Sequence, residues 1–306
     1  MKVLLTGATG FIGSHLARLL VMQGCEVYAL VRPGSNLWRI KDIEAQLHLV
    51  WGDLLNLDQV QVQLKAVKPE LCIHAAWYVE PGRYLMAPEN ISILQASLNL
   101  VSQLIALKCP RFVGLGTCFE YDLSAGYLSE KSPLKPLTLY AASKLALQIV
   151  LEQMASTTEM KSVWLRLFYQ YGPFENKQRL VPSVICALLQ NRVVQVTKGE
   201  QVRDFLHIQD VVAAIWAVAQ SNLSGPVNIG SGQPVTVREV VTKIGTLLKR
   251  PELILLGALP YHPTEPMFVC ANNQRLVEET TWQVHLELEQ GLQYTIEWWQ
   301  THLEIV

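Results

Sequence analysis

The sequence contains few cysteines, and their spacing follows no metal-binding or disulfide pattern. Six cysteines lie among 306 residues, and none of them forms a CxxC pair. Zinc knuckles and small disulfide scaffolds both need regularly spaced cysteines, so this distribution favours reduced and mostly buried thiols. We therefore expect a cytoplasmic protein without a metal site.

The chain also lacks a strong net charge and a long apolar segment. Its formal net charge is −1, so no broad basic surface is expected to attract nucleic acid or an anionic membrane. The apolar run at 211–219 is much shorter than the roughly 20 residues that span a bilayer. Gly7, Gly10 and Gly13 interrupt the apolar start, which argues against a signal peptide. We expect neither a membrane nor a nucleic-acid partner.

The same three glycines are the first positive signal. A glycine-rich segment follows a β-branched and leucine-rich run and opens a stretch with helical spacing. Its candidate cofactor contacts are Gly7, Gly10, Phe11, Ile12 and Gly13. Residues without a Cβ let the backbone approach a pyrophosphate, and the N–H groups of a helix N-terminus bind its charge. The pattern predicts a dinucleotide site, with an ordinary βα turn as the alternative.

Short apolar runs alternate with helical patterns through the first half of the chain. This alternation predicts an α/β fold built on a doubly wound parallel sheet, the Rossmann arrangement, with a smaller substrate-binding lobe. We expect residues 1–168 plus about 207–229 to form the dinucleotide-binding domain, and about 169–206 plus 230–306 to form the lobe. The predicted strands are 2–6, 26–31, 47–51, 71–75, 111–116 and 162–168.

Candidate cofactor residues follow several of these strands. No acid follows the second strand, where Arg32 could pair with a 2′-phosphate, so we expect NADP(H), with NAD(H) as the alternative. A solvated loop arginine is the other interpretation of Arg32. Asp53 and Leu54 could meet the adenine edge, and an N-cap or turn is the alternative role for Asp53. The small side chains of Ala75 and Ala76 leave space for a cofactor.

The fourth strand leads into an aromatic loop. His74 at the strand end is better explained as a hydrogen-bonded histidine than as a base. Trp77 and Tyr78 come next, at the edge of a parallel sheet where ligands bind, and could line a substrate pocket. Structural packing of these aromatic rings is an equal alternative.

A phenol and an ammonium group are placed one helical turn apart in LTLYAASKLALQI, residues 137–149. Tyr140 and Lys144 share a helix face, and a nearby positive charge favours a phenolate, so the pair could supply or take a proton. A solvated helix face is the alternative. Thr117, at the carboxyl end of the fifth strand, could bond a substrate oxygen beside Tyr140 or bond its own backbone.

Together, these motifs resemble the extended short-chain dehydrogenase/reductase family, in its nucleotide-sugar epimerase and dehydratase branch. The resemblance covers essentially the whole chain, and it is strongest in TGATGFIG, in the HAA of 74–76 and in the YAASK of 140–144. Later segments that resemble the same branch are RLFYQYGP at 166–173, RDFLHIQDV at 203–211, NIGSG at 228–232 and EQGLQYTIEWW at 289–299.

The resemblance implies a role for each matching residue. Thr117, Tyr140 and Lys144 would form a catalytic triad, in which Tyr140 exchanges a proton at a sugar oxygen while hydride moves between nicotinamide and carbon. Lys144 would hold the cofactor ribose and lower the pKa of Tyr140. Arg203 would grip a diphosphate, with a surface ion pair to Asp204 as the alternative. A homodimer through the helices at 91–107 and 139–155 is also implied by the resemblance.

Departures from the motifs of this branch reduce the number of reactions that the chain could catalyse. Cys118 and Phe119 stand where its 4,6-dehydratases usually carry Asp-Glu, so dehydration lacks its acid and base. Tyr169 and His262, which replace the usual Asn and Arg, are the remaining candidate substrate contacts. We expect an NADP(H)-dependent reductase of a nucleotide-linked 4-keto-6-deoxy sugar. A nucleotide-sugar 4-epimerase is the close alternative, and a noncatalytic nucleotide-binding scaffold is a more distant one.

Overall fold

The computed structural model describes residues 1–304. In chain order the strands are β1 (Lys2–Thr6), β2 (Glu26–Val31), β3 (His48–Trp51), β4 (Leu71–His74), β5 (Arg111–Thr117), β6 (Tyr127–Leu128), β7 (Lys161–Leu167), β8 (Tyr169–Tyr171), β9 (Val194–Gln195), β10 (Val202–Arg203), β11 (Phe205–His207), β12 (Gly225–Ile229), β13 (Val235–Thr236), β14 (Ile254–Leu255) and β15 (Phe268–Ala271).

The α-helices are α1 (Phe11–Met22), α2 (Gln61–Val67), α3 (Glu89–Ala106), α4 (Leu139–Met154), α5 (Leu180–Leu189), α6 (Ile208–Gln220), α7 (Val237–Leu247), α8 (Gln274–Glu279) and α9 (Leu288–His302). Short 3₁₀ helices cover Trp38–Gln46, Leu54–Val60, Cys118–Glu120, Leu123–Ala125 and Pro251–Leu253.

Seven strands form one sheet, in the order β12-β7-β5-β4-β1-β2-β3. The pairings from β3 across to β7 are parallel. Strand β4 is buried at every position and β5 at all but its first, as expected for a parallel sheet that is covered on both faces. The predicted doubly wound α/β fold is confirmed.

Helices α3 and α4 pack on this sheet through an apolar cluster. Leu100 and Leu104 of α3 and Leu147 of α4 are completely buried, and they join Phe112 and Trp164 of the sheet in the same cluster. Burial of one such side chain contributes about 1.5–3 kcal/mol. The cluster fixes α4, the helix with the predicted acid/base pair, against β5 and β7.

The chain divides into two compact units. The first contains Met1–Tyr121, Leu134–Leu167 and Val212–Val227, and the second contains Asp122–Pro133, Phe168–Val211 and the chain from Asn228 onward. These bounds differ from the sequence prediction, which placed 122–133 in the first domain. The reason is a strand pairing, since β6 lies in that segment and pairs in parallel with β15. Residues 207–211, which the prediction also placed in the first domain, lie in the second unit, where β11 pairs with β8. The functional roles assigned to the two parts stay predictions.

The second unit has a small sheet and its own core. Its four-stranded sheet has the order β13-β10-β15-β6, and two further strand pairs are β11-β8 and β14-β9. Val184 of α5, Ile244 of α7 and Trp299 of α9 are completely buried in one apolar cluster. Across residues 1–304, none of the helices has the length and apolarity that crossing a membrane requires.

Candidate active site

The glycine-rich turn has a backbone geometry that leaves no room for side chains. Gly7 has a φ of +76°, and a Cβ on it would lie 2.7 Å from the carbonyl carbon of Ala75 and from the nitrogen of Ala76. A Cβ on Gly13 would lie 2.0 Å from the carbonyl oxygen of Gly7. The turn, β4 and α1 therefore meet backbone to backbone, and only glycine satisfies both positions.

Helix α1 begins directly after this turn. Its N-cap residue, Gly10, makes no side-chain capping bond, and its first turn, which includes the half-buried Phe11 and Ile12, has no acidic residue. The N–H groups of this turn thus carry a partial positive charge that no side chain of the cap compensates. This cradle fits the pyrophosphate of a dinucleotide.

His74 holds the neighbouring strand end in place. Its Nδ1 lies 2.8 Å from Oγ1 of Thr6, and its Nε2 lies 2.9 Å from Oγ of Ser97. Thr6 Oγ1 also accepts a hydrogen bond from the N–H of Ala76, at 3.2 Å. Burial lowers the pKa of His74 to about 3, so the ring is neutral. His74 is a hydrogen-bonded strand-end residue that positions Ala75 and Ala76, the half-buried predicted cofactor contacts.

Tyr140 and Lys144 lie on the buried face of α4. The helix begins after Thr138, which is its N-cap, because its Oγ1 accepts a hydrogen bond from the N–H of Ala141 at 3.2 Å. Tyr140 is 9% exposed and Lys144 is 3% exposed. A solvated helix face is therefore excluded. The side chain of Thr117, at the end of β5, is near enough to Tyr140 to lower the pKa of the phenol.

The Lys144 ammonium group is held from two sides. Its Nζ donates a hydrogen bond to the carbonyl oxygen of Leu115 at 2.6 Å. It also lies 3.8 Å from the ring centroid of Trp77 and 6.0 Å from that of Tyr140. Burial lowers the pKa of Lys144 to about 7, although the carboxylate of Glu120 acts in the opposite direction. The amine therefore changes its charge near neutral pH.

The Tyr140 phenol stays protonated at neutral pH. Burial raises its pKa above the ordinary value, and the charges of Tyr84 and Glu120 add to this, whereas the hydrogen bond of Thr117 lowers it. The ring of Tyr84 packs edge-on against Tyr140, with 5.0 Å between the centroids. The direction is opposite to the lowering that we expected from Lys144, because burial outweighs the other contributions. Tyr84 is the last aromatic residue of the loop segment that begins at Trp77. The sequence did not indicate that it would lie beside Tyr140.

The two aromatic residues predicted for the substrate pocket, Trp77 and Tyr78, have different surroundings in the structure. Trp77 is half-buried, lies against Lys144 and Tyr140, and donates its indole N–H to Oδ1 of Asn90 at 2.8 Å. Tyr78 instead donates its hydroxyl to Oε2 of Glu80, at 2.8 Å. Trp77 thus lines the site around Tyr140, whereas the side chain of Tyr78 bonds a neighbouring residue of its own loop.

The candidate adenosine contacts lie at the ends of β2 and β3. Arg32 is an exposed residue of the loop after β2. Asp53 accepts a hydrogen bond from the N–H of Leu55 at 2.9 Å and caps the following 3₁₀ helix, which is the alternative role considered for it, and Leu54 is buried. Sequence reasoning missed Arg39, whose Nη1 lies 3.5 Å from the carbonyl oxygen of Thr9 in the glycine-rich turn.

Arg203, the predicted diphosphate contact, is already paired with another side chain of the second unit. Its side chain is buried and forms a salt bridge with Glu265, and its guanidinium carbon lies 5.3 Å from the ring centroid of Tyr169. The considered ion pair with Asp204 is wrong, because Asp204 is fully buried and accepts hydrogen bonds from the N–H groups of Ser231, Gly232 and Ala271.

His262, the other predicted substrate contact of this unit, is exposed, and its Nδ1 lies 3.0 Å from the hydroxyl of Thr264. Within residues 1–304, no cluster of three or more His, Cys, Asp or Glu side chains is arranged so that it could hold a metal ion.

The order of motifs and the fold both agree with a known family. Residues 3–230 match the model of the NAD dependent epimerase/dehydratase family. The chain belongs to this family. The resemblance stated from the sequence is therefore confirmed, and so is the expected Rossmann arrangement.

Individual relatives cover nearly the whole chain. The CDP-abequose synthase of Salmonella muenchen is 25% identical over 296 residues, which cover 95% of the present chain and 95% of the synthase. The solved structure of TunA, an NAD dependent NDP-hexosamine 5,6-dehydratase involved in tunicamycin biosynthesis, is 30% identical, with a TM-score of 0.83 and coverage of 98% of both chains. The UDP-glucose 4-epimerase of Thermus thermophilus in complex with NAD is 22% identical, with a TM-score of 0.87 and coverage of 98% and 99%.

Proposed function

We propose that this family member is an NAD(P)-dependent oxidoreductase that acts on a nucleotide-linked sugar and reduces the keto group of a 4-keto-6-deoxy sugar. The observation that carries the proposal is the buried grouping of Thr117, Tyr140 and Lys144. All three side chains are buried, the Lys144 Nζ lies 6.0 Å from the Tyr140 ring centroid, the phenol is protonated and the amine titrates near neutrality, which supports the proposal.

Tyr140 is suited to donating a proton. A dinucleotide bound at the glycine-rich turn would supply hydride to the carbonyl carbon of the sugar. A phenol whose pKa is raised by burial carries its proton at neutral pH and can give it to the carbonyl oxygen, which prevents a full alkoxide from developing. We propose that the hydroxyl of Thr117 hydrogen-bonds the phenol during this step.

Lys144 assists Tyr140 through its charge and its donors. Its ammonium form places a positive charge 6.0 Å from the Tyr140 ring centroid, which favours the phenolate that remains after proton transfer. With a pKa of about 7, the amine can change its own protonation during turnover. We assign to Lys144 the additional role of holding the cofactor ribose, as the family resemblance implies.

Elimination of water is disfavoured by the groups around Thr117. Cys118 and Phe119 carry no carboxylate, so the acid and base pair of a dehydratase is absent from these two positions. The next residue, Glu120, is fully buried and forms an ion pair with Arg166 at 2.7 Å. A reductase uses Tyr140 alone as the proton donor and needs no acid or base from these three positions.

NADP(H) is our proposed cofactor, because Arg32 follows β2 and no acid takes its place. The family name and the description of TunA refer to NAD, which is the alternative. Affinities for NADPH and NADH, measured by fluorescence titration, test the choice. Equal affinities, together with no change in the variant Arg32→Asp, would contradict it.

The nucleotide part of the substrate is assigned to the second unit. We propose that Arg203, Tyr169 and His262 bind the nucleotide diphosphate, with Trp77 lining the pocket for the sugar. Arg203 is paired with Glu265, so an anionic ligand would replace this carboxylate as the partner of the guanidinium group. Tyr78, which donates to Glu80, is the weaker of the proposed pocket residues.

A 4-epimerase is the second candidate. It is favoured by the family itself, which includes epimerases, and by the fact that Tyr140 could both take and return a proton at the same oxygen. The two reactions differ in the fate of the cofactor, since a reductase consumes NADPH in each turnover and an epimerase regenerates its cofactor.

The deciding experiment combines the protein with NADPH or NADH and a panel of nucleotide-linked 4-keto-6-deoxy sugars. We expect loss of the nicotinamide absorbance with at least one sugar, and a reduced product in the NMR spectrum. If no sugar oxidises either cofactor, while ordinary nucleotide sugars are interconverted at C4 without added cofactor, the protein is an epimerase and the reductase assignment is overturned.

A homodimer in the cytoplasm is proposed from the family resemblance. The predicted interface helices carry exposed apolar side chains, since Ile91 of α3 is 50% exposed and Ile149 of α4 is 48% exposed. Light scattering measures the mass directly, and a monomer over the working concentration range would contradict the dimer.

A further inference from the structure

A charged pair is buried next to the proposed catalytic group. Glu120 is 0% exposed and Arg166 is 1% exposed, and Arg166 Nε donates to Glu120 Oε2 at 2.7 Å. Removing two charges from water costs several kcal/mol per ion, and a well-packed apolar pair is often as stable. The pair is therefore poorly explained as a device for stability alone.

Glu120 contacts the backbone of Thr117 directly. Its Oε1 accepts a hydrogen bond from the N–H of Thr117 at 2.9 Å, and both of its oxygens accept from Nε1 of Trp164. Thr117 Oγ1 in turn accepts from the N–H of Phe119, and Thr117 and Glu120 form a capping box at the short 3₁₀ helix. The carboxylate thus fixes the residue that bonds the Tyr140 phenol.

The other end of the pair reaches the helix that carries Lys144. Arg166 Nη2 donates to Oε1 of Gln148 at 2.7 Å, and Gln148 lies one helical turn after Lys144 on α4. Strand β5, strand β7 and helix α4 are therefore joined through one buried network, in which Glu120 is the central acceptor.

Charges surround Lys144 unequally. His74 on β4 is neutral, Tyr140 on the same helix is protonated, and Arg166 on β7 carries the positive charge of the ion pair with Glu120. The Nζ of Lys144 lies 5.9 Å from the ring centroid of Trp164, whose Nε1 donates to the Glu120 carboxylate, and this carboxylate favours the ammonium form of Lys144 against the effect of burial. Without this carboxylate, the buried amine would lose its proton more readily.

We propose that Glu120 is a positioning residue of the active site, which fixes Thr117 through its backbone and keeps Lys144 in its ammonium form through its charge. The catalytic meaning of this role rests on the proposed function. The effect on Lys144 does not, because it is a property of the protein without substrate.

The first test measures the charge of Lys144 without any turnover. Lysine labelled with stable isotopes is incorporated into the full chain, and the NMR signal that is missing in Lys144→Met is followed across pH. We expect a midpoint near 7 in the original protein and a fall of about one unit or more in Glu120→Gln. Glu120→Asp, which keeps the charge, should restore the midpoint toward its original value.

Gln148→Leu is the matched structural control. It breaks the contact of Arg166 with α4 in the same network and leaves the Glu120 carboxylate in place. A merely structural role for Glu120 would make the two variants alike, with lower stability and an unchanged Lys144 midpoint. Glu120→Gln with an unchanged midpoint therefore overturns the proposal.

The second test concerns turnover with the sugar that the cofactor assay identifies. We expect Glu120→Gln to lower kcat by about tenfold or more and to move the pH profile of kcat in the same direction as the Lys144 midpoint, with little change in KM. A shifted midpoint without a shifted profile overturns the catalytic part of the role. If no sugar is turned over at all, the function is wrong, and the NMR midpoint still decides the positioning.

Glu120→Gln leaves Arg166 buried without its counter-charge, so the double variant Glu120→Gln with Arg166→Gln is the alternative if the single variant does not fold. Both charges are then absent, and the Lys144 midpoint should still fall, by less than in the single variant. A midpoint that stays at its original value in the double variant also contradicts the role.

Discussion

The protonation of Tyr140 is set by its surroundings and not by its lysine neighbour. Sequence spacing predicted that Tyr140 and Lys144 share a helix face, and this geometry is observed. The spacing carried no information on burial, which raises the pKa of the phenol and lowers that of the amine. The two groups are thus held in the forms that suit proton donation, a neutral phenol and an amine near its midpoint.

Replacing Tyr140 by Phe tests the proton donor. The variant should fold and bind the dinucleotide nearly as the original protein does, because only a hydroxyl is removed. Its turnover should fall by about 10²–10⁴-fold, which is the usual contribution of a general acid. Stopped assays with the identified sugar measure the loss, and fluorescence titration measures cofactor binding.

The control for this variant is Tyr84→Phe. Tyr84 packs against Tyr140 with 5.0 Å between the ring centroids, so the same deletion is made one ring away. We expect turnover in this control to stay within a few-fold of the original, on the order of the loss of one neutral hydrogen bond. Equal losses in the two variants would remove Tyr140 from its role as the donor.

Gly7 should tolerate no side chain, for two separate reasons. Its φ of +76° is strained for alanine, and a Cβ would lie 2.7 Å from the backbone of Ala75 and Ala76. Gly34 has a φ of +79° but open space around it, so Gly34→Ala reports the backbone strain alone, about 1–2 kcal/mol. Gly7→Ala should lower the free energy of unfolding by more than Gly34→Ala and should also weaken dinucleotide binding. Urea unfolding and cofactor titration check both effects, and equal costs would contradict the close backbone approach.

Some residues of the site could not be found from the sequence. Arg39 follows no local pattern, and it approaches the glycine-rich turn only because the 3₁₀ segment after β2 folds back. Glu120 had a readable signal, since Thr117 and Glu120 have the T-x-x-E spacing of a capping box. Its ion pair with Arg166 depends on the pairing of β5 with β7, which brings residues 46 positions apart into contact.

Helix α4 is the element on which the proposed chemistry depends. Its start could be predicted from Pro136 and from Thr138, and the bounds of β1 and β2 also agree with the sequence prediction because their apolar runs are sharply delimited. The strands of the second unit have two to four residues and pair across long sequence distances, so local patterns do not define them.

Removing the cap of α4 should cost stability and activity together. Thr138→Ala leaves the N–H of Ala141 without its side-chain acceptor, which costs about 1 kcal/mol of unfolding free energy. Thr236→Ala is a matched control, because Thr236 caps α7 by accepting from the N–H of Glu239 at 3.1 Å. Both variants should lose similar stability in urea unfolding, and only Thr138→Ala should lower kcat. A similar loss of kcat in both would show that α4 has no special role.

At the scale of the whole molecule, a buried carboxyl group should make stability depend on pH. Glu175 in the second unit is 7% exposed, and burial raises its pKa from 4.5 to about 8. Among the described residues, its Oε2 has no hydrogen-bond partner. Between these two pH values the folded protein keeps a proton that the unfolded chain releases. The stabilisation from this proton is fully present below about pH 4.5 and is lost as the pH rises through about 8.

The variant Glu175→Gln isolates this effect, because a glutamine of nearly the same shape cannot titrate. Between about pH 5 and pH 7, the original protein should lose about 1.4 kcal/mol of unfolding free energy per pH unit relative to the variant. Urea unfolding of both proteins at matched pH values measures the difference, in which the other titrating groups cancel. A difference that stays constant with pH would mean that Glu175 is already ionised in the folded protein. In that case Arg179, which lowers its pKa, would outweigh the effect of burial.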